Sequence, residues 1–159
     1  MLDSTPAQFH EMALKALEVV EGFYRELPNS PIMPDTTSGA IRSLITEPVP
    51  AAGVPFETAL AAVSDVIYPL CRHNGHPRMF GYVASPGTAV AAIGELLAAA
   101  LNANVTAWRS APAAVELEHL VIDWFKSALG YPAEAAGLLV SGGSMANFAA
   151  LAAARTAAA

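Results

Sequence analysis

Charged side chains are scarce in this chain of 159 residues, of which only 14% are Asp, Glu, Lys or Arg. The formal net charge is −6, and the eight Lys and Arg residues form no cluster. Both facts argue against a surface for nucleic acid or for an anionic membrane. Cysteine is represented by Cys71 alone. A lone cysteine gives no disulfide framework and suits a reducing compartment, so we expect a cytoplasmic protein.

The chain also lacks a run that could cross a bilayer. Its first twelve residues do not show the basic and then apolar pattern of a signal peptide. The longest apolar run, residues 88–101, is interrupted by Glu95 and is too short to span the hydrocarbon core. We therefore expect no membrane association.

Apolar residues, in contrast, are abundant. They make up 54% of the sequence, and the length allows one domain with a real core but not two large ones. A chain of this size with so many apolar residues exposes more hydrophobic surface than a soluble domain usually does. We expect something else to cover much of it.

The periodicity of the apolar residues predicts a mostly helical chain. Thr5 and Gln8 form a capping-box pattern around Pro6, which marks the start of a first helix. Six prolines then make residues 28–55 an irregular arm with one short helix. Ser85 and Ser110 are the expected N-caps of two later helices. The predicted helices cover residues 5–27, 38–45, 56–70, 86–102 and 112–129.

The most informative stretch is residues 137–155, GLLVSGGSMANFAALAAAR. A short apolar run at 137–140 predicts a strand, a glycine-rich turn follows, and an alanine-rich helix comes next. The first turn of a helix has unpaired N–H groups and the positive end of the helix dipole. Gly143 and Ser144 would therefore bind an anion, and a phosphate is the natural ligand. The simpler alternative is that Ser144 only caps the helix.

Residues 71–82, CRHNGHPRMFGY, are unusually rich in histidine, arginine, glycine and aromatic residues, which indicates a functional segment. His73 and His76 invite a metal interpretation, but no cysteine or carboxylate stands at ligand spacing beside them. We expect no metal site. The lysines, Lys15 and Lys126, are predicted to lie on solvated helix faces.

Three stretches together resemble the pyridoxal-phosphate-dependent group II decarboxylases, the family of the aromatic-L-amino-acid and glutamate decarboxylases. They are HPRMFGYVASPG at 76–87, NVTAWRSAPAAVELEHLVIDWFKSALGYP at 104–132 and GLLVSGGSMANFAALAAAR at 137–155. The resemblance implies the N-terminal part of an α/β, fold-type I enzyme, with one strand of the large sheet near 137–140. It also implies a dimer-wrapping segment at 1–84, the start of the cofactor-binding domain at 85–159, and a homodimer.

The resemblance extends to individual residues. Gly143 and Ser144 match positions that hold the phosphate of pyridoxal 5′-phosphate, and Tyr82, Val83 and Ser85 match positions that line the substrate. The implied reaction is decarboxylation, with an aromatic L-amino acid as the expected substrate. The family's lysine, which binds the cofactor covalently, has no counterpart here. The sequence is therefore expected to be a fragment, inactive alone, that supplies no catalytic residue.

Two other interpretations remain open. The sequence Gly142-Gly143-Ser144-Met145-Ala146 is close to the nucleophile elbow of α/β-hydrolases, in which Ser144 would be the nucleophile. That fold places its Asp and His after the serine, whereas all four histidines here precede it. The third possibility is a non-catalytic helical fragment that binds a partner through its apolar surface.

Overall fold

The computed structural model describes residues 4–159. The chain divides into two compact units, Met1–Ala92 and Ile93–Ala159. The first three residues of the expected segment 1–84 lie outside the described part. Six α-helices occur within that part: α1 Pro6–Glu26, α2 Ser38–Ile45, α3 Phe56–Ala62, α4 Ala89–Leu101, α5 Pro112–Leu129 and α6 Gly143–Ala157.

Helix α1 begins at the predicted capping box. The Thr5 hydroxyl accepts a hydrogen bond from the Gln8 N–H at 3.2 Å, and the Gln8 side chain accepts one from the Thr5 N–H at 2.9 Å. Further along the helix, Lys15 Nζ contacts Glu11 at 2.8 Å and Glu57 of α3 at 2.6 Å. Lys15 therefore links α1 to α3 instead of extending freely into solvent.

The short helix expected at 38–45 is confirmed as α2, which Thr37 caps through a 3.2 Å bond from the Ala40 N–H. The helix expected at 56–70 differs from the prediction. It is α-helical to Ala62 and continues as a π-helical turn, Val63–Ile67. The Tyr68 N–H reaches back five residues to the Val63 carbonyl at 2.9 Å. This wider turn precedes Tyr68, whose ring centroid lies 4.8 Å from that of Phe23 in α1.

Helix α4 begins later than predicted, at Ala89, and the assignment of Ser85 as its N-cap was wrong. The Thr88 hydroxyl accepts the Ala91 N–H at 3.1 Å and takes the capping role instead. The physical reason is Gly87, because glycine is a poor helix former and Thr88 offers a cap just after it. The helix ends at Leu101, followed by Asn102 in the left-handed region at φ 47°.

In the second unit, α5 ends at Leu129 and is capped by Gly130, whose φ of 72° suits a residue without a Cβ atom. The expected N-cap at Ser110 is not formed, because the capping position is Ala111. The prediction of a solvated Lys126 was also wrong. Its side chain is only 18% exposed, with Nζ 2.8 Å from Asp123 and 2.7 Å from the Ala133 carbonyl. The lysine thus connects α5 to the turn that follows it.

The strand expected at 137–140 does not form among residues 4–159. A strand is stable only when its backbone pairs with a neighbour, and the described residues offer none. The segment lies against α5 instead. The Leu139 N–H donates to the Glu118 carboxylate at 2.9 Å, and a Cβ atom added at Gly137 would lie 3.0 Å from Ile122 Cγ2. This close approach sets the position from which the chain enters α6.

Very little of the described chain is buried. Ala111 is the buried apolar residue among residues 4–159, and long stretches of large apolar side chains on α4, α5 and α6 are exposed. The side chains of the described residues thus leave extensive apolar surface uncovered, as the composition predicts. Within the described residues, no helix is both long enough and apolar enough to cross a membrane.

Candidate functional site

The N-terminus of α6 is the first candidate site. The helix begins at Gly143 and its capping residue is Gly142, with φ 145° and ψ 173°. L-residues rarely adopt this conformation, because their Cβ atom meets the backbone there. Gly142 therefore permits the sharp turn that leads from residues 137–140 into the helix.

The first turn of α6 has unpaired backbone donors. Its first backbone hydrogen bond joins the Ala146 N–H to the Gly142 carbonyl at 3.0 Å. Within residues 4–159, the N–H groups of Gly143, Ser144 and Met145 have no acceptor, and all three residues are exposed. No side chain caps the helix, so the interpretation of Ser144 as a mere N-cap was wrong. These donors lie at the positive end of the helix dipole.

This arrangement fits a phosphate group. Three consecutive N–H groups, a serine hydroxyl and a glycine turn make the kind of anion site found at helix N-termini. No acidic residue lies in the first turn of α6 to repel an anion. The residues predicted to hold a phosphate, Gly143 and Ser144, thus lie together on the same exposed turn.

The second candidate site contains the residues predicted to line a substrate. Tyr82, Val83 and Ser85 are all exposed, and no helix or strand includes them. Tyr82 has a φ of 66°, which is uncommon for a bulky residue. Its ring lies under the Arg72 guanidinium, at 4.2 Å from the Arg72 Cζ to the ring centroid. These residues belong to the first unit, whereas Gly143 and Ser144 belong to the second.

The two histidines of the segment 71–82 are the buried polar residues of the described chain, at 7% exposed for His73 and 3% for His76. His73 Nε2 lies 2.9 Å from the Tyr68 carbonyl and Nδ1 lies 3.1 Å from the Ser30 hydroxyl. The His76 Nδ1 accepts the Arg78 N–H at 3.0 Å. Residues 4–159 contain no group of three potential metal ligands. Both ring nitrogens of His73 thus have hydrogen-bond partners, whereas the buried His76 Nε2 has none among the described residues.

The hydrolase alternative finds no geometric support. Within the described residues, the Ser144 side chain forms no hydrogen bond, and so none to a histidine that could act as a base. The histidine of the same unit, His119, is 3.7 Å from Glu116. Ser144 thus lies exposed in the first turn of α6, with no hydrogen-bonded base among the described residues.

Sequence reasoning had placed both glycines of the turn at the anion site, and Gly142 has the special backbone angle there. It missed Met145, which has a third free N–H group, and Arg72, which covers the Tyr82 ring. The glycine pair in the sequence was also a signal for the N–H group of Met145. No sequence pattern pairs Arg72 with Tyr82, because their contact depends on the path of an irregular segment.

Comparisons with known proteins identify relatives of this chain. The family described as the pyridoxal-dependent decarboxylase conserved domain matches residues 39–159. An aromatic-L-amino-acid decarboxylase from Bacillus atrophaeus is 31% identical over 98% of this chain and 32% of its own length. A tyrosine decarboxylase from Oryza sativa subsp. japonica is 33% identical over 86% of this chain and 25% of its own length. The chain thus spans about a quarter to a third of these curated relatives.

A solved structure shows the same fold. The tryptophan decarboxylase of Catharanthus roseus, in complex with L-tryptophan, superposes with a TM-score of 0.73 at 25% identity. The superposition covers 83% of this chain and 28% of that protein. It confirms the expected fold class, of which the described residues form a mainly helical part.

Proposed function

Because this chain belongs to the pyridoxal-dependent decarboxylase family, we propose that it works as part of an enzyme that decarboxylates an aromatic L-amino acid with pyridoxal 5′-phosphate. The observation that carries the proposal is the first turn of α6, where three N–H groups and the Ser144 hydroxyl are free to bind a phosphate. The names of the relatives support the substrate class, since they are decarboxylases of aromatic-L-amino acids, of tyrosine and of tryptophan.

The role of the second unit in this reaction is to hold the phosphate. The N–H groups of Gly143, Ser144 and Met145 donate to its oxygens, and the Ser144 hydroxyl adds a further donor. Gly142 fixes the direction in which these donors point. When bound, pyridoxal phosphate would supply the electron sink that decarboxylation needs. Anchoring at α6 fixes the orientation in which that chemistry occurs.

The role of the first unit is to contact the amino-acid substrate through Tyr82, Val83 and Ser85. An aromatic ring and an aliphatic side chain offer apolar contact to an aromatic substrate, and a hydroxyl can donate to a carboxylate. The exposure of all three residues in the described chain leaves them available for such contacts. Neither lysine is placed for covalent chemistry, because Lys15 and Lys126 are both bound to carboxylates.

The proposal includes a homodimer in the cytoplasm. The exposed apolar side chains of α4, α5 and α6 support an assembly that covers them. The exposed free thiol of Cys71 supports a reducing compartment. Size measurement of the purified full-length protein tests the dimer, and a mass equal to that of one chain would contradict it.

The activity is tested with the full-length protein by measuring carbon dioxide release from L-tryptophan, L-tyrosine, L-phenylalanine and L-glutamate, with and without pyridoxal phosphate. We expect cofactor-dependent release from at least one aromatic amino acid and less from glutamate. Activity on glutamate alone would overturn the substrate class. Absence of release from all four amino acids would overturn the proposed activity.

The phosphate assignment is tested separately by Ser144→Ala. Loss of one hydrogen bond to a charged group costs about 1.5–3 kcal/mol, so we expect affinity for pyridoxal phosphate to fall roughly 10- to 150-fold. Fluorescence titration of the apoenzyme measures this affinity. Ser127→Ala, an exposed serine of α5, is the matched control and should bind as the unmodified protein does. Equal affinities for all three proteins would remove Ser144 from the site.

A further inference from the structure

The contact between Arg72 and Tyr82 joins two parts of the segment 71–82 that are ten residues apart. The guanidinium carbon of Arg72 lies 4.2 Å from the centroid of the Tyr82 ring. A cation at this distance over an aromatic face is attracted by the negative potential of the ring. The contact therefore connects Tyr82 to the part of the chain on which Arg72 is mounted.

Arg72 itself is firmly held. Its Nε–H donates to Asn74 Oδ1 at 2.9 Å, which fixes the plane of the guanidinium. The next residue, His73, is buried, and its backbone N–H donates to the Ile32 carbonyl at 3.0 Å. The His73 ring also stands edge-on to Phe23 of α1, with 5.4 Å between centroids. Arg72 is thus attached to an anchored residue of the first unit.

Tyr82 has few other restraints. It is 77% exposed, and its backbone and side chain form no hydrogen bond within residues 4–159. The next residue, Val83, is fully exposed. Tyr82 nevertheless adopts a φ of 66°, which a bulky residue keeps only when its surroundings favour it. Among the described contacts, the cation above the ring is what restrains this conformation.

We propose that Arg72 is a positioning residue that holds Tyr82, and with it residues 82–85, in the orientation that meets the substrate. This inference rests on the proposed function, in which Tyr82 lines the substrate site. Arg72 acts through the Tyr82 ring and does not touch the reacting atoms. Its loss therefore weakens substrate binding, while the chemical step, once substrate is bound, continues at nearly the same rate.

The test compares three variants of the full-length holoenzyme. Arg72→Gln removes the cation, Arg72→Lys retains it, and Arg78→Gln removes an exposed arginine of the same segment as a matched control. Two quantities are measured for each: the rate at which chymotrypsin cleaves after Tyr82, followed by mass spectrometry, and the KM and kcat for the best aromatic substrate. The cleavage rate reports the restraint on Tyr82 without depending on catalysis.

For Arg72→Gln we expect faster cleavage after Tyr82 and a KM about two- to fivefold higher, the range that an exposed cation–π contact allows. The kcat should stay within about twofold, because the reacting groups are untouched. Arg72→Lys should restore part of both effects, and Arg78→Gln should show neither. A merely structural role for Arg72 would lower stability and kcat without rescue by lysine.

The results that would overturn the role of Arg72 can be told apart from a failure of the proposed function. Unchanged cleavage after Tyr82 in Arg72→Gln would overturn the inference, whatever the enzyme does. Faster cleavage with an unchanged KM would also overturn it, because Tyr82 would then be held by Arg72 without serving the substrate, and the decarboxylase proposal would stand. If the unmodified protein releases no carbon dioxide, the proposed function and the substrate role of Tyr82 both fail.

Discussion

Replacement of Gly142 by alanine gives the sharpest test of the site at α6. Gly142 has φ 145° and ψ 173°, in a region that is almost restricted to glycine. No atom lies within 4 Å of the position that an added Cβ would occupy, so crowding by neighbours plays no part. The effect of Gly142→Ala must therefore come from the backbone angle itself.

The expected free-energy cost of Gly142→Ala follows from the backbone angles of Gly142. A residue forced into such a region costs about 1–3 kcal/mol. If the chain keeps its path, the free energy of unfolding falls by this amount. If φ relaxes instead, the N–H groups of Gly143 and Ser144 turn away from the phosphate, and the same free energy corresponds to a roughly 5- to 150-fold loss of cofactor affinity.

The assay combines urea unfolding of the full-length apoenzyme with fluorescence titration by pyridoxal phosphate. Gly94→Ala is the matched control, because Gly94 lies within α4, outside the phosphate site, without a positive φ, and its added Cβ would meet open space. We expect its unfolding free energy to stay equal or to rise by up to about 1 kcal/mol. Equal stability and equal cofactor affinity in Gly142→Ala and the unmodified protein would refute the reasoning.

Two further predictions concern the surroundings of the sites. Gly137→Ala places a Cβ atom 3.0 Å from Ile122 Cγ2. Because Gly137 is exposed and can move slightly away from α5, we expect the free energy of unfolding to fall by only about 0.5–1 kcal/mol in urea titration. Gly53→Ala, where the added atom meets open space, should not share this loss. The hydrogen bond from Lys15 lowers the pKa of Glu57 from its ordinary 4.5. The ionised Glu57 side chain therefore contributes to stability above pH 4.5, and this contribution is lost as the pH falls through the lowered pKa. Glu57→Gln should therefore show a shallower loss of stability between pH 5 and about pH 3 in low salt, and identical pH profiles would contradict the assignment.

Local rules were sufficient to predict much of the helical structure. The capping box at Thr5 and Gln8 gave the start of α1, and the glycine at 130 gave the end of α5, because both act within one turn of the chain. The start of α4 was harder to predict. Ser85 and Thr88 are both acceptable caps, and the choice between them depends on Gly87 and the path of the preceding segment.

Features that depend on contacts between residues far apart in the sequence could not be predicted from the sequence. Residues 137–140 have the composition of a strand, yet a strand is defined by a pairing partner that the described chain does not provide. The phosphate site stays a prediction, and it could be made because its donors are consecutive in one helix turn. The partial burial of Lys126 could not be predicted, since it depends on the Ala133 carbonyl in the turn beyond α5.

The π-helical turn at Val63–Ile67 gives this stretch of the chain a residue that it can lose. A π-turn accommodates one residue more than the α-helical path would need. Removal of one residue from it would leave a regular α-helix, in which the residues that follow face in about the same direction as before. Tyr68 would then keep its place against Phe23, and with it the carbonyl that His73 contacts. Single-residue deletions should thus be tolerated here far better than within α1 or α5, where each residue removed rotates all that follows by about 100°.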